Sequence, residues 1–157
     1  MKTVLITVGK TDRKWVSDGF DEYAGRVSHF VPFKHIVIPD IKNTRNLSAP
    51  VQKELEGEAI LKQLAPGDDI VLLDDKGIEM TSEEMASWLD KRMQISSKRM
   101  VFIIGGPYGF SEKVYAAAGC RLSLSRMTFS HQMVRVIFME QLYRAFTILK
   151  GIPYHHS

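Results

Sequence analysis

The chain has 157 residues, about one domain. Its 45% apolar and 25% charged residues form an ordinary globular balance, which excludes a disordered or fibrous chain. The formal net charge of +3 is unevenly spread: residues 1–100 carry 15 basic and 16 acidic side chains, residues 101–157 carry 6 and 2.

Strand and helix patterns then alternate along the chain. Residues 2–8 are apolar and β-rich. Residues 15–27 place Trp15, Val16, Phe20, Tyr23, Ala24 and Val27 near helical spacing. A short strand at 35–38 stops at Pro39, and the polar stretch 40–50, with Asn43, Asn46 and Pro50, reads as a loop. Residues 51–65 form a helix that Pro66 and Gly67 end. A short strand covers 70–73, and Asp74, Asp75, Lys76 and Gly77 read as a turn. Thr81 and Glu84 form a capping box before a helix at 85–95. Residues 100–104 form a buried strand, Ser111 caps a short helix through Ala118, residues 121–125 form a last strand, and residues 131–150 a long helix. Five strands separated by helices predict one parallel α/β sheet in a single domain, 1–157.

The last helix leaves almost no polar face, whereas a surface helix needs only an apolar stripe of roughly 100°. It must be covered on a second side. A partner subunit supplies that cover in a homodimer; a central place in a monomer is the other reading.

Some familiar chemistries are disfavoured. Cys120 is the only cysteine, so no internal disulfide forms, which fits a reducing cytoplasm, and nothing beside it marks a nucleophile. The five histidines show no metal-ligand spacing, so no metal is expected. No signal-peptide pattern and no apolar run near ~20 residues is present, so we expect a cytoplasmic protein without a membrane partner.

Two stretches carry the functional signal. The strand 100–104 breaks into Gly105, Gly106, Pro107, Tyr108 and Gly109. The strand 121–125 breaks into Arg126, Met127, Thr128, Phe129, Ser130 and His131. Each is an apolar strand ending in small and polar residues before a helix, an arrangement that presents backbone amides to a small ligand. Neither has the lysine of a phosphate loop or the acid of a dinucleotide site, which disfavours a nucleoside triphosphate or a nicotinamide cofactor. Between Glu112 and Glu140 there is no acidic residue, while Lys113, Arg121, Arg126 and Arg135 are basic. A ligand turn beside positive charge points to a cofactor enzyme acting on a polyanion. The end of the chain, Pro153, Tyr154 and His155, sets a stacking side chain beside a titratable one, a pairing suited to an exposed RNA base.

Together these residues resemble the RlmH-type ribosomal RNA methyltransferases of bacteria, members of the SPOUT class. The resemblance runs from end to end. It rests on Val8, Gly9 and Lys10; Pro39; Leu73, Asp74 and Gly77; Ile104 to Pro107; Leu122 to Ser125; Met127 to His131; Val134 to Val136; Glu140 to Ala145; and Pro153 to His155. One departure is His156, where that family usually carries arginine or lysine.

The resemblance implies a SPOUT-type parallel sheet flanked by helices, with the C-terminal segment threaded into a trefoil knot that forms cofactor pocket and dimer interface. It implies transfer of a methyl group from S-adenosyl-L-methionine to N3 of a pseudouridine in a stem-loop of 23S ribosomal RNA, within the ribosome or large subunit. It assigns cofactor contacts to Leu73, Gly105, Gly106, Leu124, Ser125, Arg126, Met127, Thr128 and Phe129. The candidates for base, orienting group or anion stabiliser are His131, Arg135, Tyr154 and His155. A transfer-RNA methyltransferase of the same class and a non-catalytic ribosome-assembly factor are the alternatives.

Overall fold

Apolar residues alternate along the strands, and the two sets face opposite ways. The computed structural model of the protein, which describes residues 1–41, 44–95 and 98–156, shows the result. Five strands, β1 (Lys2–Val8), β2 (Phe33–Ile38), β3 (Asp69–Glu79), β4 (Arg99–Ile104) and β5 (Cys120–Ser123), lie in the order β2-β1-β4-β3-β5. All pair in parallel. The helices are α1 (Lys14–Val27), α2 (Ala49–Leu61), α3 (Ser82–Gln94), α4 (Glu112–Ala117) and α5 (Met133–Lys150).

Leu5, Met100, Phe102, Val71 and Leu122 face α1, α3 and α5 in one core. Val4, Ile6, Val101, Ile103 and Leu72 face α2 and α4 in the other. Strands buried on both faces explain why β1 and β4 read as continuous apolar runs. Because every strand is parallel, all their C-terminal ends emerge on the same edge of the sheet. Among the described residues, no helix is long and apolar enough to cross a membrane.

The caps follow the residue types. Ser48, Thr81 and Ser111 each accept a hydrogen bond from the backbone N–H three residues on, starting α2, α3 and α4. The expected helix starts at 51 and 85 therefore move back to 49 and 82. Asn43, read as part of a loop, lies outside the described residues.

One expected turn is a correction. Residues 74–77 lie inside the single strand β3, not after it. Both Leu73 and Ile78 register with Leu122 of β5, so the four residues between bulge out and pairing then resumes. The turn chemistry is still there: Asp74 Oδ1 accepts from the Lys76 N–H at 3.0 Å. Gly77 lets the bulge close, because the backbone of Arg121 and Leu122 fills the space a Cβ would need.

The long helix also receives a physical account. α5 lies on the sheet between α1 and α3, and Phe138, Met139, Leu142, Ala145 and Phe146 are buried there. Val134, Val136, Ile137, Tyr143, Ile148 and Leu149 remain half-buried. Much of the helix's apolarity is thus used within one chain.

Arg135 ties this helix to β1. It is completely buried, and its Nη1 donates to Gly9 O (2.9 Å) and Thr11 Oγ1 (3.1 Å). Nη2 donates to Val8 O (2.8 Å) and Nε to His131 O (3.1 Å). Arg135, expected among the candidates for stabilising an anion, thus has its donors engaged by three main-chain carbonyls and the Thr11 hydroxyl.

Two outcomes follow from this packing. Arg135→Met removes the donors from buried carbonyls and should lower stability by about 3 kcal/mol in urea denaturation. His35 on β2 stacks near Phe20 and shares a 2.8 Å hydrogen bond with Thr7 Oγ1. Burial, reinforced by nearby Arg135, holds its imidazole down at about 4, against 6.5 for the free group. The unfolded chain then takes up the proton first, so this contribution to stability is present above about 6.5 and is lost as pH falls through about 4. His35→Gln should flatten that loss when denaturation midpoints are compared between neutral and acidic buffers.

Candidate active site

The ends of the three neighbouring strands β4, β3 and β5 enclose a cavity of about 280 Å³. β3 contributes Leu73, Asp74 and Asp75. The turn after β4 contributes Gly105, Gly106, Pro107, Gly109 and Phe110. The segment after β5 contributes Leu124, Ser125, Met127, Thr128, Phe129 and His131, and Val134 of α5 closes one side. This is the crevice outside the carboxyl ends of parallel strands where α/β proteins place ligands.

The β5–α5 segment is shaped by its own hydroxyls. Ser123 Oγ donates to Ser125 O at 2.9 Å, and Ser125 Oγ accepts from the Met127 N–H at 2.9 Å. Ser130 Oγ accepts from the Met133 N–H at 3.1 Å, so the helix starts at Met133 rather than at residue 131. The segment is pinned from outside by Gln132, whose Nε2 donates to Lys10 O (3.1 Å) and whose Oε1 accepts from the Asp12 N–H (3.1 Å). With Arg135, this explains why a Val8-Gly9-Lys10 loop accompanies the β5–α5 segment. Gln132 was not among the expected residues; its signal, a polar residue between two helix-start candidates, is too common to notice.

On the opposite wall, Asp74 Oδ2 accepts from the Tyr115 hydroxyl at 3.0 Å. Burial pushes the Asp74 carboxyl up, but the Lys76 N–H, the Tyr115 hydroxyl and nearby Arg121 outweigh it and leave it below the ordinary range. Asp74 thus stands on this wall as a carboxylate held by the Lys76 N–H and the Tyr115 hydroxyl. Tyr115 is held above its usual value by burial and by Asp74, and the Arg121 guanidinium lies 4.2 Å over its ring.

Two glycines of the turn, Gly105 and Gly106, leave room for neighbouring side chains of the protein. An ideal Cβ on Gly106 would overlap the Glu56 carboxylate, and one on Gly105 would press on the Phe110 ring. A side chain at Gly106 thus collides with α2, not with a molecule in the cavity.

Of the expected cofactor residues, Leu73, Gly105, Gly106, Leu124, Ser125, Met127, Thr128 and Phe129 line the cavity. Arg126 does not. Its side chain is 87% exposed and pairs with Glu79 at 3.1 Å. Of the catalytic candidates only His131 is on the cavity wall.

Tyr154 and His155 lie elsewhere, folded back over α5. The Tyr154 hydroxyl donates to Glu140 Oε1 at 3.0 Å and lies 3.3 Å from the Tyr23 hydroxyl. Its ring meets Tyr143 edge-on at 4.8 Å and carries the Arg144 guanidinium at 4.7 Å. Burial and the bonds to Tyr23 and Glu140 raise its proton affinity well above the ordinary phenol. His155 bridges Arg144 Nη1 (3.1 Å) and Glu83 Oε1 (2.8 Å). Within one chain the tail is an ordered, hydrogen-bonded strap. Among the described residues no cluster of metal-ligating side chains occurs.

Comparison with known proteins agrees with this geometry. A family model described as "Predicted SPOUT methyltransferase" matches residues 1–155. The chain is 58% identical over 157 residues to the Ribosomal RNA large subunit methyltransferase H of Parabacteroides distasonis, covering all of both chains. It is 56% identical over the full length of both to the protein of that name in Bacteroides fragilis. With the one from Christiangramia forsetii it shares 51% over 156 residues, 99% of each. A solved structure, a probable methylase family protein from Haemophilus influenzae, superposes with a TM-score of 0.50 over 99% of this chain and 70% of that one. At 13% identity that likeness concerns the fold alone. The chain belongs to the SPOUT methyltransferase family.

Proposed function

We propose that the protein transfers the methyl group of S-adenosylmethionine to N3 of a pseudouridine in 23S ribosomal RNA, in the cytoplasm and as a homodimer. The observation that carries this reading is the cavity at the ends of β3, β4 and β5, built from the segments expected for the donor. Relatives more than half identical are named as large-subunit ribosomal RNA methyltransferases.

The residues present suit such a donor. Leu73, Leu124 and Phe129 offer apolar surface for a purine, and the turns after β4 and β5 offer backbone groups for its edges. When bound, the donor supplies a methyl carbon already activated by a sulfonium charge, so the enzyme's task is alignment and removal of one proton. We assign acceptance of the N3 proton to His131, which lines the cavity. The donor would be held by the cavity lining, Leu73, Leu124 and Phe129 among it, and would supply the methyl group for the deprotonated nitrogen, its carbon–sulfur electrons staying with sulfur.

The half-buried apolar residues of α5, with Leu124 and Met127 beside them, support a subunit contact at the cavity mouth. A second copy placed there brings the Tyr154-His155 strap of one subunit towards the cavity of the other.

Two experiments test this. The purified protein is incubated with labelled S-adenosylmethionine and ribosomes from a strain lacking the modification. Mass spectrometry should find one methyl group on a pseudouridine of the large-subunit RNA. Donor binding without methylation would leave a non-catalytic assembly factor, and methylation of transfer RNA instead would redirect the substrate. In the second, a His131→Ala subunit is paired with one lacking residues 153–157. Each variant alone should be inactive, and the mixed dimer should recover about one working site. Failure to recover, with both parents folded, would mean that each strap serves its own subunit.

A further inference from the structure

Glu56, on α2, is only 3% exposed, and its Oε1 has no hydrogen-bond partner. Its other oxygen accepts from Gln52 Nε2 at 3.1 Å. A buried carboxylate oxygen without a donor is costly, so such a group calls for an explanation. The carboxyl lies directly behind the glycine turn, since a Cβ on Gly106 would overlap it. Gly106 itself lines the cavity. One glycine's thickness therefore separates a free buried oxygen from the ligand space.

The groups that face Glu56 come from several elements. Gln52 donates from its own helix, Asp40 beyond β2 opposes its ionisation, and His131 beyond β5 favours it. From α4, Ser111 and Val114 pack on the neighbouring Gly57. Among the described residues no lysine or arginine pairs with the carboxyl. Burial, the largest influence, pushes it above the ordinary carboxylate range. A residue kept buried, unpaired and pressed against the ligand turn is suited to a positive charge that arrives with a ligand.

We propose that Glu56 is the counter-charge for a cationic group of the methyl donor, acting through the glycine turn as a positioning residue. The proposal rests on the reading that S-adenosylmethionine occupies the cavity. That molecule carries two cations, the sulfonium and the ammonium, whereas S-adenosylhomocysteine keeps only the ammonium. Burial favours the neutral carboxyl, and a cation arriving beside it favours the ionised form, with any proton released passing to solvent. Donor affinity therefore rises with pH through the titration of free Glu56 and then levels off.

The test is titration calorimetry of both compounds between about pH 5 and 8, in buffers of different ionisation enthalpy. Wild type should release protons on binding S-adenosylmethionine, and its affinity should rise about tenfold across the window. Glu56→Gln keeps the volume and should abolish both the proton release and the pH dependence. Gln52→Leu keeps the carboxyl but removes its remaining donor, and should move the window to higher pH; it serves if the first variant does not fold. Loss confined to S-adenosylmethionine assigns the sulfonium, and loss for both compounds assigns the ammonium. Unchanged pH dependence in Glu56→Gln, or no proton release by wild type, overturns the proposal alone. Failure of either compound to bind wild type overturns the donor reading, and this proposal with it.

Discussion

The buried guanidinium of Arg135 is the contact on which the site's shape depends. A charge taken wholly out of water costs several kcal/mol unless hydrogen bonds replace its hydration. Here four acceptors do so: the carbonyls of Val8, Gly9 and His131, and the Thr11 hydroxyl. A lysine lacks the fork that reaches β1 and its own helix together. Because Arg135 follows directly on the β5–α5 segment, fixing it fixes the segment that walls the cavity. Gln132 repeats the tie from three residues earlier, bonding Lys10 and Asp12. The cavity wall is thus fastened to the end of β1, a strand that contributes nothing to the lining itself.

Much of this was legible in residue type and spacing, and the failures have a common cause. The five parallel strands follow from apolar runs between helices. The two ligand segments follow from strands that dissolve into glycines and hydroxyls. What spacing does not carry is the direction of a side chain at a segment's edge. Arg126 and Arg135 sit nine residues apart in one basic stretch. One points to water and pairs with Glu79, the other is buried under β1. Asp74-Asp75-Lys76-Gly77 read as a turn because its local hydrogen bonding is that of a turn. Only the partner strand, pairing on both sides through Leu122, makes it a bulge. That Tyr154 and His155 fold back over α5 is not legible in spacing, because Tyr23 and Glu83, which they meet, are distant in sequence.

The glycine turn shows that residue type does not tell which neighbour a missing Cβ makes room for. Gly105 and Gly106 belong to a turn expected to present backbone amides to a small ligand. They do line the cavity, but their missing Cβ atoms make room for Phe110 and Glu56 on the other side. A substitution there moves the turn by pushing on α2 and on the loop that returns to α4. Loss of ligand binding in such a variant reports a displaced wall. The same geometry is what lets a buried carboxyl on a distant helix sense the ligand space.

Charge demands similar care. Residues 101–157 hold six basic side chains, which suggests a surface ready for phosphates. Three-dimensional placement reduces that number. Arg135 is spent on carbonyls, Arg144 is bound to Glu140, Arg126 pairs with Glu79, and Arg121 lies over Tyr115. Among the described residues, Lys113 and Lys150 are left exposed without such a partner. The long-range field keeps its positive sign, because bonding to a carbonyl or an aromatic ring does not neutralise a cation. The supply of donors for direct phosphate contact is nonetheless small. A polyanion is therefore attracted by this end of the molecule more readily than it is gripped by it. A firm grip on a polyanion therefore calls for donors beyond those that residues 101–157 leave free.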